Sequence, residues 1–315
     1  MLRFVSFRVG QLLVTVLLAS VVAFLVIQHA PGNPAQFQVG PEATPAEIAV
    51  EAHKLGLDAP LPERYWDWLQ GAAKLNLGVS FATGLPVTKT IVTAFGNTAR
   101  LAIMAILIGT LLGIPLGLLA AVRRGRWLDT LISTYSATAL SIPSFALGTL
   151  LILVVAVRLK AMPAAGAGNP GQSFWESLRF ALMPAVTLAI PFSAVLARYI
   201  RMELSEALGQ PYVLTARALG LRRRTVLANG WRNALIPTIT VMGIQIGRLL
   251  AGAVVTETVF SYPGIGYLTI QSIQNSDYPV IEGVLLIAAV VFLLVMFAVD
   301  LVVGVVDPRL RAGRA

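Results

Sequence analysis

Long apolar blocks alternate with short polar, cation-bearing segments along this chain. Six blocks of roughly 18 or more mostly apolar residues, the length an α-helix needs to cross a hydrocarbon core, can be read off directly. They run approximately from Val9 to Gln28, Thr98 to Val122, Leu128 to Val157, Leu182 to Ile200, Thr238 to Phe260 and Val280 to Val306. The pattern predicts an all-α polytopic membrane protein with six transmembrane helices. Arg3 and Arg8 give the first block the look of a secretory signal. Its apolar stretch is too long for that and no convincing small-x-small cleavage site follows, so it is predicted to stay as an anchor.

The polar intervals divide the chain into residues 1–29, 30–97, 98–306 and 307–315: an N-terminus with a peripheral first span, an outer loop, a five-helix core and a tail. In the outer loop, Thr44-Pro45-Ala46-Glu47 combines an N-cap, a first-turn proline and the glutamate of a capping box. It predicts a helix from Pro45 to about Leu55, ended by Gly56. "PLPERYWDWLQGAAKLNLG" predicts a second, with Tyr65, Trp66 and Trp68 suited to a membrane interface. The longest polar interval of the core, 201–237, contains "YVLTARALGLRRRTVLANGWRNALIP", with five arginines and two glycines from Tyr212 to Pro237. Its helix formers predict two short helices meeting at Gly220, with Pro237 in the first turn of the next span.

Composition agrees with the pattern: 57% of the 315 residues are hydrophobic and 12% charged, and the mean hydropathy is +0.78. The net charge of +9 need not mean nucleic acid, because the cations sit in short segments between apolar blocks. Fifteen Lys and Arg fall on the side holding both termini and the 201–237 loop, against eight on the other side. By the positive-inside rule both termini and that loop are cytoplasmic. With no cysteine and only His29 and His53, thiolate and histidine-cluster metal sites are not expected.

No Gly-Lys-Ser/Thr triplet, His-Glu-x-x-His or Gly-x-Ser-x-Gly occurs, so neither a phosphate-binding loop nor a familiar hydrolytic centre is expected. The chain is predicted to be non-catalytic and to bind no cofactor. Gly109, Gly113 and Gly117 recur every four residues in the second span and predict a close packing seam. Pro143, Pro184 and Pro191 interrupt the third and fourth spans, as helices beside a cavity or beside one another allow. Arg248 stands near the middle of the fifth span, where a charge is costly and points to function. A structural ion pair, with Asp300 as its partner, or a snorkelling side chain is the alternative. Gln245, Ser141 and Ser144 join Arg248 as candidate pathway residues. Glu257, Phe260, Pro263, Gly264 and Gly266, around the turn-forming "YPGIG", form a candidate outer gate.

"TARALG" succeeded by "WRNALIP" resembles the cytoplasmic loop of ABC-importer permeases, with Leu214, Thr215 and Ala216 where the family has Glu-Ala-Ala and Gly220 as the loop glycine. "APGNPA", "NTARLAIMAILIGTLLGIPLGLLAAVRRGRWLD", "SIPSFALGTLLILV", "TETVFSYPGIGYL", "DYPVIEG" and "VDPRLR" extend the likeness over nearly the whole chain, in the manner of the first permease subunit of the dipeptide/oligopeptide (peptide/nickel) branch. The missing acid and the distance from Gly220 to Pro237 are similar to that branch, whereas an arginine at position 248 is unlike it. The resemblance implies a type I (MetI-like) permease fold in a prokaryotic inner membrane. It also implies a second homologous permease, two ATPases that carry ATP and Mg, and an extracytoplasmic binding protein. The cytoplasmic loop would be a coupling helix meeting an ATPase through Tyr212, Thr215, Ala216, Arg217, Leu219, Gly220 and Leu221. The cargo implied is dipeptides, oligopeptides, nickel complexes, glutathione or related compounds.

Three other readings compete. An ion-gradient-driven secondary carrier would need buried acids as a relay, and the span centres offer no acidic chain. An intramembrane enzyme lacks its catalytic constellation. A structural membrane subunit without transport is set aside only by the resemblance.

Overall fold

The computed structural model describes residues 2–29, 34–40, 42–168, 171 and 173–306. Among these every regular element is helical, apart from one isolated bridge between Val79 and Pro86. Five helices are long and apolar enough to cross a membrane, and a sixth span results if one sharply bent pair is counted together. Two compact units divide the chain: one holds Thr98–Tyr262 and the segment from Val295, the other Leu2–Asn97 and Pro263–Leu294.

The second unit contains α1 (Leu2–Gln28), α2 (Pro34–Val39), α3 (Pro45–Lys54) and α4 (Leu61–Ala73). The capping box of α3 forms as expected: the Glu47 backbone N–H donates to Thr44 Oγ1, and Thr44 N–H returns a bond to the Glu47 carboxylate at 2.8 Å. That backbone bond holds the Glu47 carboxyl below its ordinary range. Gly56 takes φ 65° just beyond the helix, the left-handed stop its position predicts. Of the three loop aromatics, Trp66 is exposed. Tyr65 and Trp68 instead pack on Phe24 of α1, and the Tyr65 hydroxyl shares a 2.8 Å bond with Ser20.

Helix α5 (Val87–Val122) begins eleven residues before its apolar block. The early start is explained by packing: Val87 and Ile91 bury against Val280 and Val284 of α12 (Tyr278–Val306), and Gly283 gives them room. Between these elements Asp277 is 3% exposed and gathers buried donors. Ser80 Oγ donates to it at 2.5 Å and the Phe81 N–H at 3.0 Å, while Ser80 Oγ accepts from Thr83 N–H. Removing the carboxylate leaves those donors unpaired, at about 1–3 kcal/mol. Asp277→Ala is therefore expected to lower the melting temperature of the detergent-purified protein, and an unchanged melt would show that water replaces the acid without loss.

The first unit is built round α8 (Phe174–Gly209), whose apolar window is 67% buried against 28–33% for its partners α5 and α10. Ser173 and Glu176 close a second capping box at its start, and the helix continues through Pro184 and Pro191. The glycine seam of α5 lies against it: Gly109 faces Phe192, Gly113 faces Ser193 and Leu196, and Gly117 faces Ala197 and Ile200. The third block is broken rather than continuous. Helix α6 (Trp127–Ser141) ends at Ile142, which the next residue, a proline, drives into extended backbone. Helix α7 (Ser144–Leu151) then leaves through a 99° bend and passes into a π-helical segment, Ile152–Arg158.

The loop after α8 also departs from expectation. Helix α9 (Pro211–Ala218) and the stop at Gly220 are present, but the second short helix is not a separate element. Helix α10 runs unbroken from Arg223 to Val259, with Pro237 well inside it. A membrane helix tolerates this because neighbouring groups take up the freed carbonyl. Helix α11 (Ile265–Gln274), which hydropathy does not signal, occupies the chain between the "YPG" turn and α12.

Candidate functional site

Helix α9 carries four of the expected coupling residues, Tyr212, Thr215, Ala216 and Arg217, and the turn that closes it carries Leu219, Gly220 and Leu221. Pro211 starts it, where a missing N–H costs nothing. Its end is a Schellman turn: Leu221 N–H donates to Ala216 O at 3.1 Å while Gly220 takes φ 73°. Val213 is buried, and the Asn233 side chain donates to Tyr212 Oη at 2.7 Å, so α9 is tied to the first turns of α10. Thr215 and Gly220 are exposed and Ala216 half-buried. Leu219 is 76% exposed, and Leu221 and Tyr212 are exposed as well. The side chain of Arg217 lies outside the described residues.

The candidate pathway residues fall at two places. Ser141 and Ser144 flank the break between α6 and α7, Ser141 exposed and bonded back to Ala137 O at 2.9 Å, Ser144 half-buried. Gln245 and Arg248 are on α10, half-buried and exposed respectively. The Asp300 side chain, considered above as a partner for Arg248, lies outside the described residues, as do "APGNPA" in large part and "VDPRLR" almost entirely.

The candidate gate residues divide at Tyr262. In the first unit, Glu257 is completely buried and accepts a 2.7 Å bond from Thr98 Oγ1. Phe260 is 1% exposed, with its ring against Gly148 of α7, and Phe260 O accepts from Gly166 N–H. Ser261 takes a left-handed φ of 45° and Tyr262 N–H reaches back to Glu257 O, closing α10 by the same turn that ends α9. Burial pushes the Tyr262 phenol up, so it remains neutral at physiological pH. In the second unit, Pro263 O accepts from Asn97 Nδ2, Gly264 is the extended N-cap of α11 and Gly266 is buried in its first turn.

Sequence reasoning missed a two-bond ion pair between α6 and α8. Asp129, in the first turn of α6, is gripped by both the Nε and Nη2 atoms of Arg201 on α8 and accepts from Gly125 N–H at 2.9 Å. The partners are 72 residues apart in the chain, so no local pattern announces them. Beside them a cavity of about 220 Å³ opens between α6 and α8, with Ser133, Ser136, Arg198 and Arg201 as its polar lining. No group of three or more metal-ligating side chains occurs among the described residues.

Residues 113–312 match the model of the family described as binding-protein-dependent transport system inner membrane component, and residues 1–102 match its N-terminal companion. The glutathione transport system permease protein GsiC of Escherichia coli O6:H1 (strain CFT073) is 37% identical over 312 residues, covering 99% of both chains. GsiC of Shigella flexneri serotype 5b (strain 8401) is 36% identical with the same coverage. Among solved structures, an inward-facing form of the MetNI methionine ABC transporter aligns with a TM-score of 0.58 at 20% identity, over 69% of this chain and 96% of that one. An amino acid ABC transporter crystallised with histidines aligns at 0.53 and 17% identity, over 70% and 94%. These two share the fold. The chain therefore belongs to the binding-protein-dependent transport system inner membrane component family, as a non-catalytic, multi-pass permease subunit of an ABC importer.

Proposed function

We propose that this permease forms half of a pathway for peptide-type solutes and takes its motion from cytoplasmic ATPases through α9 and Gly220. Its family works with a binding protein, a second permease and ATPases. The specific reading is one homologous permease beside this chain, two ATPase subunits holding ATP and Mg, a binding protein outside, and both termini in the cytoplasm. The observation that supports the coupling role is the exposure of three large apolar side chains, Tyr212 at the start of α9 and Leu219 and Leu221 in the glycine-closed turn at its end. Exposed apolar side chains of this kind in a polar loop mark a protein contact. The peptide cargo is supported by relatives named for glutathione, itself a tripeptide. A carrier driven by an ion gradient has no comparable use for such side chains.

The chain has no cysteine, so single thiols can be introduced cleanly. With a benzophenone maleimide on Leu219→Cys, illumination of native membranes is expected to yield an adduct with an ATPase chain. Phe174→Cys, exposed at the start of α8, is expected to give none. Absence of the Leu219 adduct, or an equal one from Phe174, would sink the coupling assignment. In ATP-driven uptake, Gly220→Val forces a β-branched residue into left-handed backbone at about 1–2 kcal/mol. It is expected to lower transport roughly tenfold, since about 1.4 kcal/mol corresponds to that factor.

A further inference from the structure

Among the described residues, Arg248 is the one cation in the middle of a span. From Pro237 to Arg248 and from Arg248 to Val259 are eleven residues each, so the side chain starts about 16 Å from either end of this apolar stretch of α10. Snorkelling serves residues near helix ends. A guanidinium this deep needs water or a polar partner where it stands.

The direction it faces is set by its neighbours. Gly243 abuts Val299 of α12, its missing Cβ falling against the valine methyls. Five residues at about 100° each put Arg248 roughly 140° round the helix from that contact. Glu257, nine residues on, is about 180° away, and its carboxylate is occupied by Thr98. Leu249 and Ala253, on the intervening arc, are buried. On Arg248's own arc Ile244, Ala251 and Val255 are exposed. The missing Cβ of Gly252, one turn further out, meets nothing within 4 Å. Arg248 thus sits on the open arc of α10, with clear space one turn away and Gln245 three residues earlier.

We infer that Arg248 binds the free carboxylate of a peptide crossing the pathway at the membrane midplane. This rests on the peptide-type cargo proposed above. The chemistry fits: a guanidinium presents a planar fork that matches a carboxylate two bonds at a time. It also suits passage rather than capture. One charged contact on an otherwise apolar arc orients the carboxyl end without holding the whole chain.

The test compares cargoes that differ only in that group. The assembled importer, with its second permease, ATPases and binding protein, is reconstituted in proteoliposomes. Initial ATP-driven uptake is measured for glutathione, trialanine and trialanine amide. Each variant's rate is divided by the wild-type rate for the same cargo, which cancels any preference of the binding protein. Arg248→Gln is expected to lower uptake of glutathione and trialanine at least tenfold and of the amide less than twofold, with Arg248→Lys retaining most of the acid transport. Equal loss for acid and amide would place Arg248 against the second permease and overturn the inference, as would no loss for any cargo. Import of none of the three by the wild type would overturn the peptide reading instead, and this inference with it. Co-purification of the partner chains with Arg248→Gln establishes that the variant being measured is assembled.

Discussion

Gly117→Leu is expected to prevent assembly of a folded permease. A Cβ at position 117 lies 2.7 Å from Ile200 Cβ and 2.8 Å from the Ala197 carbonyl oxygen. Neither is the free end of a flexible side chain, so the strain cannot be absorbed by a rotamer change. Overpacking typically costs roughly 1–3 kcal/mol, and a whole leucine aimed at the backbone of α8 belongs at or beyond the upper end. Gly113 meets Ser193 O at 2.9 Å and should behave alike. Gly109 meets the Phe192 ring at 2.6 Å and the backbone only at 3.1 Å, at Ala189 O, and is expected to tolerate alanine better. The measurement is the monodisperse fraction of fluorescently tagged protein after extraction in mild detergent. Gly96→Leu supplies the comparison, because a Cβ at position 96 meets nothing within 4 Å. If Gly117→Leu and Gly96→Leu extract equally well, the seam is not the close contact described.

The second large effect is asymmetric. Asp129 is only 7% exposed in its side chain and Arg201 36%. Arg201→Ala strands a buried carboxylate, a loss of about 3–5 kcal/mol where one partner of a buried pair is removed. Asp129→Ala leaves a guanidinium that can turn to water, and the cost falls to about 1–3 kcal/mol. The melting temperature in detergent should therefore drop further for Arg201→Ala than for Asp129→Ala. The double variant should recover part of the difference, because it leaves no unpaired charge. The reverse order, or strict additivity, would show that the two side chains do not act as a pair.

Legibility in the sequence depends on range. The glycine seam, the capping box at Thr44 and the stop at Gly220 are local patterns with local causes, and they appear where the residues put them. Helix ends are less legible because hydropathy marks where a chain meets lipid, not where its helix begins. Val87 to Asn97 and Arg223 to Pro237 are helical outside the apolar blocks, and so join spans to the segments beyond them. Pro143 signals a break in the helical ladder, but nothing local sets the 99° through which the chain turns there. Least legible are the polar pairs. Asp129 with Arg201, Ser80 with Asp277 and Thr98 with Glu257 are separated by 72, 197 and 159 residues. Only the folded chain brings them together.

The continuity of α10 through Pro237 has a mechanical meaning. Its 37 residues span about 55 Å of helix, tethered near one end to α9 by Asn233 and Tyr212 and finished at the other by the Glu257 to Tyr262 turn. From its contact with α9 to that turn the chain is a single helix. In the coupling proposed above, α9 acts near one end of α10 and the Glu257 to Tyr262 turn sits at the other, so a tilt of that helix about its middle displaces the two ends in opposite senses, in the manner of an oar about its rowlock.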